Sequence, residues 1–103
     1  MTDSEGKLGM PVDLTVIVPM YNEKDSLGPF FVRVLPLLDD LNRSYEVLCV
    51  DDGSRDTTLE KLIEIHQRDP RIKVLGLARN FGKEMALTAG LRYATGKAVV
   101  PMD

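Results

Sequence analysis

The chain has 103 residues, enough for one domain and no more. Its hydrophobic fraction of 44% and charged fraction of 28% are those of a globular chain and argue against intrinsic disorder. Its 13 basic and 16 acidic side chains leave a formal net charge of −3, which disfavours non-specific binding of DNA or RNA.

The first regular segment in chain order is Leu14–Val18, a β-branched run stopped by Pro19 that reads as a buried strand. A helix follows, with Leu27, Phe30, Phe31, Val34, Leu35, Leu38 and Leu41 on one stripe. Ser26 is its expected N-cap and Pro29 falls in its first turn. Pro36 lies inside the pattern and predicts a kink or break. Glu46–Val50 is the second strand. The second helix opens on Thr57-Thr58-Leu59-Glu60, a capping-box spelling, is expected to bury Leu59, Leu62 and Ile63, and ends at Asp69-Pro70. Ile72–Leu77 reads as the third strand. A third helix is expected from about Asn80 to Ala94 with Met85, Thr88 and Leu91 inward and Gly96 as its stop. Ala98–Met102 is the fourth strand.

The order β-α-β-α-β-α-β predicts an α/β fold, a doubly wound parallel sheet with right-handed crossovers and strand order 3-2-1-4. Its last strand would form an outer edge. Domains rarely finish on an uncovered apolar edge, so residues 12–103 read as the front half of a larger fold behind a flexible leader at residues 1–11. With Val99, Val100 and Met102 on that edge, the chain is expected to self-associate through its C-terminal strand.

Cys49 is the only cysteine, which excludes an internal disulfide and fits a reducing, cytoplasmic setting. It reads as a core residue. No run approaches about 18 apolar residues, and the first nine residues do not read as a signal peptide. His66 reads as a half-buried or solvated helix residue.

Ligands of doubly wound sheets bind beyond the carboxyl ends of the strands. The first strand-to-helix turn, Pro19 to Glu23, has no glycine, which excludes a dinucleotide fingerprint, and no phosphate loop ending in Gly-Lys-Ser/Thr is present. A phosphate would then be held by a metal on carboxylates.

Four blocks stand in order: Val16-Ile17-Val18-Pro19-Met20-Tyr21-Asn22-Glu23, Val50-Asp51-Asp52-Gly53-Ser54, Arg79-Asn80-Phe81-Gly82-Lys83 and Met102-Asp103. Together they resemble family 2 glycosyltransferases, and most of all the bacterial polyprenyl-phosphate glycosyltransferases and the dolichyl-phosphate mannosyltransferases. The resemblance covers about Leu14 to Asp103 and implies the Rossmann-like, nucleotide-sugar-binding half of a GT-A fold. It implies a substrate site of Pro19, Tyr21, Glu23, Val50 and Asp52. Tyr21 would lie beside the nucleobase and Pro19 would shape the pocket wall. Glu23 would bond ribose or base, and Val50 would line the pocket. The same residues also have plain readings: Tyr21 as a loop-packing aromatic, and Asp-Gly-Ser as a tight turn.

Adjacent strand residues point to opposite faces, so only one of Asp51 and Asp52 is expected in the pocket. The family pattern assigns Asp52 to the base and leaves Asp51 to the turn. A carboxylate there accepts from N3–H of uracil or from N1–H and the amine of guanine. Arg79 fits either a phosphate or an ion pair. Asp103 would be the first carboxylate of an Asp-x-Asp motif binding Mg²⁺ or Mn²⁺, held weakly by this chain alone.

The implied reaction moves a sugar from a UDP- or GDP-sugar to an acceptor such as a polyprenyl phosphate in the bacterial cell envelope. Catalytic residues would lie beyond residue 103, leaving the chain inactive alone. The full-length protein could be anchored at the cytoplasmic face of the inner membrane. The rival reading is a non-catalytic nucleotide- or Mg-binding regulatory module. A signalling receiver of that kind needs a carboxylate pair at the end of its first strand and an aspartate at its third, and this chain has Pro19-Met20-Tyr21 and Ala78-Arg79-Asn80 there.

Overall fold

The structure, a computed structural model, describes residues 11–102, so nearly all of the expected leader and Asp103 lie outside it. Four strands, β1 (Leu14–Met20), β2 (Tyr45–Asp51), β3 (Ile72–Gly76) and β4 (Ala98–Pro101), alternate with helices α1 (Leu27–Asp39), α2 (Thr58–Arg68) and α3 (Lys83–Tyr93). The sheet is parallel throughout, in the order β3-β2-β1-β4. Every residue of β2 is buried, as its unbroken apolar run requires of a central strand covered on both faces.

Strand alternation divides the core into two layers. Val16, Val18, Met20, Val47 and Cys49 face one side and pack with Leu27, Phe31, Val34 and Leu38 of α1 and Leu62 of α2. Ile17, Leu48 and Val50 face the other side and pack under Ala86 of α3 and Ala94.

Local expectations and structure differ at several points. Helix α1 runs through Pro36 without a break. Pro36 and Val32, whose mutual hydrogen bond the proline removes, both lie on the solvent face, where water replaces it. Ser26 and Thr57 occupy the N-cap positions of α1 and α2 but make no side-chain cap bond. Asp56 caps α2 instead, its Oδ1 accepting from the Thr58 amide at 2.8 Å. Leu41 lies beyond α1 and is exposed, and Ile63 is exposed on α2.

The largest difference is in α3, which starts at Lys83 rather than near Asn80. It turns Met85, Thr88 and Leu91 outward and buries Ala86 and Gly90. A Cβ at Gly90 would stand 2.6 Å from Ile17 Cγ2 and 3.2 Å from Val50 Cγ2. The helix therefore sits so close to the sheet that the small residues Ala86 and Gly90 take its fully buried positions, with Leu87 and Tyr93 packing partly buried beside them.

A buried polar knot closes the opposite end of the sheet. Glu46, only 2% exposed, accepts at Oε2 from Thr15 Oγ1 (2.7 Å), the Thr95 amide (2.9 Å) and Thr95 Oγ1 (3.1 Å). Thr15 Oγ1 in turn accepts from the Gly96 amide at 2.8 Å. The turn between α3 and β4 is thereby tied to β1 and β2. Among the described residues no helix is long and apolar enough to cross a membrane.

Candidate functional site

The carboxyl ends of β1, β2 and β3 each release a loop, and the three loops enclose a cleft of about 420 Å³. Pro19, Tyr21 and Glu23 line it from the β1–α1 side, and Asp52 from the end of β2. Asn80, Gly82 and Lys83 complete the wall. Four of the expected substrate residues thus share one cavity. Val50 is not among its lining residues. Its side chain is fully buried beneath α3 with Leu48, because it lies inside the strand, whereas Asp52, on the same face two residues on, stands past the end of β2.

The paired aspartates point apart, as alternation requires. Asp51 turns to the α1–α2 side, where its Oδ2 accepts from the Ser54 amide at 3.2 Å within the turn. Its Oδ1 is buried without a hydrogen-bond partner. Asp52, 4% exposed, faces the cleft and is already engaged. Its Oδ1 accepts from the Phe81 amide at 2.8 Å, and its Oδ2 from the Gly82 amide at 2.9 Å and Asn80 Nδ2 at 3.2 Å. A carboxylate offers about four acceptor positions, so one remains on Oδ1 for a ligand donor.

The same bonds hold the β3–α3 loop in place, with Asn80 Nδ2 also donating to the Asp52 carbonyl at 3.1 Å. Gly82, at φ +100, ends this loop as the N-cap of α3, which brings Lys83 to the rim. The guanidinium of Arg79 stacks on the Phe81 ring at 4.9 Å. The sequence contained Asn80 and Lys83 within a recognisable block, but only the folded loop shows that both face the cleft.

The β1–α1 and β2–α2 loops interlock. The Met20 carbonyl accepts from the Asp52 amide at 2.8 Å, and the Glu23 amide donates to Thr58 Oγ1 at 2.8 Å. Tyr21 is 40% exposed, its ring available to a ligand. Below the same loop, Val18, Leu27 and Phe30 line a smaller apolar hollow.

Away from the cleft, Arg71 bonds Asp39 and Asp69, each at 2.9 Å. The Tyr45 hydroxyl bond, and then Arg71, hold Asp39 below the usual carboxylate range. Arg71 does the same for Asp69. His66 Nδ1 lies 2.6 Å from the Ile72 carbonyl oxygen, and Cys49 is fully buried, so both serve the fold. Among the described residues no three His, Cys, Asp or Glu side chains gather as a metal-binding group. By themselves, then, the described residues supply no complete site for a divalent cation.

Residues 15–103 match the family profile described as Glycosyl transferase family 2. An uncharacterized glycosyltransferase of Synechocystis sp. is 50% identical over 94 residues, which cover 91% of this chain and 30% of that protein. The undecaprenyl-phosphate 4-deoxy-4-formamido-L-arabinose transferase of Edwardsiella ictaluri is 37% identical over 91 residues, covering 87% of this chain and 28% of that one. Among solved structures, S. aureus TarS in complex with UDP-GlcNAc is similar at a TM-score of 0.65 and 29% identity, over 88% of this chain and 26% of that one. The mannosyltransferase PcManGT from Pyrobaculum calidifontis, in complex with GDP-Man and Mn²⁺, is similar at 0.63 and 28%, over 90% of this chain and 27% of that one. The chain therefore spans less than a third of the length of each of these proteins.

Proposed function

The chain belongs to glycosyl transferase family 2, and from that premise we propose that it forms the nucleotide-sugar-binding part of an enzyme transferring a hexose from UDP or GDP. The observation that carries this reading is the cleft joining Tyr21, Glu23 and Asp52 at the carboxyl edge of the sheet. An aromatic face beside one remaining carboxylate acceptor suits a base bearing a ring N–H, which uracil and guanine have and adenine and cytosine lack. Pro19 bounds the wall, and Glu23 is the second acceptor, for ribose or base. Val50 supports the floor from within the core.

Lys83, which lines the cleft, is the proposed cation for the diphosphate. Asp103, outside the described residues, is the proposed carboxylate for Mg²⁺ or Mn²⁺, which would neutralise charge on the leaving diphosphate. A mannosyltransferase neighbour in complex with GDP-Man and Mn²⁺ supports the use of a divalent cation.

The proposed acceptor is a polyprenyl phosphate at the cytoplasmic face of the membrane, by analogy with the undecaprenyl-phosphate transferase relative. Residues that bind the acceptor and complete catalysis belong to the length of the relatives that this chain does not span, so the chain alone is expected to be inactive. The edge strand β4, with Val100 45% exposed, is the proposed surface for self-association.

Calorimetry with UDP, GDP, ADP and CDP tests the core of this reading. Binding of UDP or GDP with at least about tenfold preference over ADP and CDP is expected, a difference of about 1.4 kcal/mol. Equal binding of all four would overturn the assignment of Asp52 to the base.

A further inference from the structure

We infer that Asn22 is a positioning residue that locks the two nucleotide-facing loops into a preformed cleft, an inference that rests on the nucleotide-binding reading above. Asn22 is not among the residues lining the cleft, yet its chain neighbours Tyr21 and Glu23 are. Its backbone sits at φ 54, in the left-handed region. From there it contacts the β2–α2 loop in both directions. Its own amide donates to Ser54 Oγ at 2.8 Å. Its side-chain Oδ1 accepts from the Arg55 amide at 2.8 Å and the Asp56 amide at 3.3 Å.

These bonds join segments more than thirty residues apart, and they do so at the cleft's edge. The Asp52 amide, donating to the Met20 carbonyl, fixes the near side of Tyr21. The Asn22 clasp fixes its far side, and the Glu23 amide on Thr58 Oγ1 extends the seam. Without the clasp, the bonds at Met20 and Glu23 still tie this loop to its neighbour, but Tyr21 shifts more readily relative to Asp52, and binding must first select the competent arrangement.

The residue type follows from two requirements that few side chains meet together. The left-handed backbone favours Gly, Asn and Asp. The two loop amides need a short side chain ending in an acceptor oxygen. Glycine satisfies the first requirement alone, aspartate satisfies both, and alanine satisfies neither. The three substitutions therefore separate backbone conformation from the side-chain clasp.

The experiment uses Asn22→Gly, Asn22→Asp and Asn22→Ala in the full chain, read by amide hydrogen exchange at Arg55 and Asp56 and by titration with UDP and GDP. In Asn22→Gly both amides should exchange faster and affinity for the bound nucleotide should fall about tenfold, as when only a tenth of molecules hold the competent arrangement. Asn22→Asp should keep both protections and bind within about threefold of the parent, and Asn22→Ala should lose at least as much as the glycine variant. Undiminished affinity in Asn22→Gly alongside faster exchange would show that the clasp does not position the cleft. Failure of Asn22→Asp to rescue would remove the acceptor oxygen from the account. If the parent chain binds neither nucleotide, the functional reading falls, while unchanged exchange at Arg55 and Asp56 in Asn22→Gly would overturn the clasp on its own.

Discussion

Gly53 rests directly on the backbone of Arg79: a Cβ on Gly53 would stand 2.2 Å from the Arg79 carbonyl carbon and 2.4 Å from the Asn80 nitrogen. Its φ of +70 is also one that L side chains rarely adopt. Two of the three loops around the cleft therefore meet backbone to backbone, one residue from Asp52.

Replacing Gly53 should accordingly move the β3–α3 loop as well as strain the turn. Gly53→Ala is expected to cost about 1–3 kcal/mol of stability for the strained conformation, and to weaken UDP or GDP binding. Urea denaturation and calorimetry on the same variant check both effects. Parental stability and affinity would mean that the loops separate easily.

Asp52 combines a structural and a ligand role, so its substitution should be felt in both. Asp52→Asn keeps one acceptor oxygen but turns an amide donor toward the Phe81 or Gly82 N–H, at a cost of about 1–3 kcal/mol. Nucleotide affinity should fall with it. Asp51→Asn should affect binding less, since its carboxylate faces the turn and the α1–α2 side. A larger loss of affinity in Asp51→Asn would make Asp51 the base-facing group.

Glu46 holds the amino-terminal end of the sheet. Glu46→Ala removes the buried acceptor of the Thr15 hydroxyl and one bond of the Thr95 amide, at about 1–3 kcal/mol for the lost acceptor. The loosened α3–β4 turn should appear as faster hydrogen exchange in β4, and β3, on the far edge, should change less.

Stability should fall in alkali. Burial pushes the Cys49 thiol up to about 12, whereas an unfolded thiol titrates near about 8.5. The thiol's contribution is complete below the unfolded value and is lost as pH rises through this window, because only the unfolded chain ionises there. Tyr45, raised to about 12 by burial and then by its bond to Asp39, acts in the same direction above about 10. Urea midpoints at pH 8 and pH 10.5 should differ, and Cys49→Val should shrink the difference. Below neutrality, Asp39 and Asp69, both lowered in the folded state, keep their contribution above about 4 and lose it as pH falls further. Below pH 9 Cys49 should resist thiol reagents until the chain unfolds.

Much of this molecule was legible in the order of its residues. Four apolar runs punctuated by turn formers specify parallel strands, because only helical crossovers of that length can join them, and the order 3-2-1-4 is the usual one for a doubly wound sheet. Placing loops 19–23, 51–54 and 78–82 at the carboxyl edge needs no more than that topology. Singling out Pro19, Tyr21, Glu23, Val50 and Asp52 took the resemblance to family 2 glycosyltransferases. Alternation likewise determined that Asp51 and Asp52 part company.

Tertiary structure alone decided how closely the layers approach and which polar groups meet across them. Periodicity marked Met85 and Leu91 as the inner face of α3, but the helix comes so near Ile17 at Gly90 that Ala86 and Gly90 take the fully buried positions instead. Side-chain volume is a property of the contact between two elements, and neither element's sequence states the distance between them. Val50 shares a face with Asp52 but lies deeper along β2, where α3 covers it, while Asp52 stands past the end of the strand and lines the cleft. The bonds of Asn22 to Arg55, of Asp52 to Phe81 and of Glu46 to Thr95 each span thirty residues or so or more. No local pattern encodes such pairs, because each depends on where two separate loops or turns come to rest on the finished sheet.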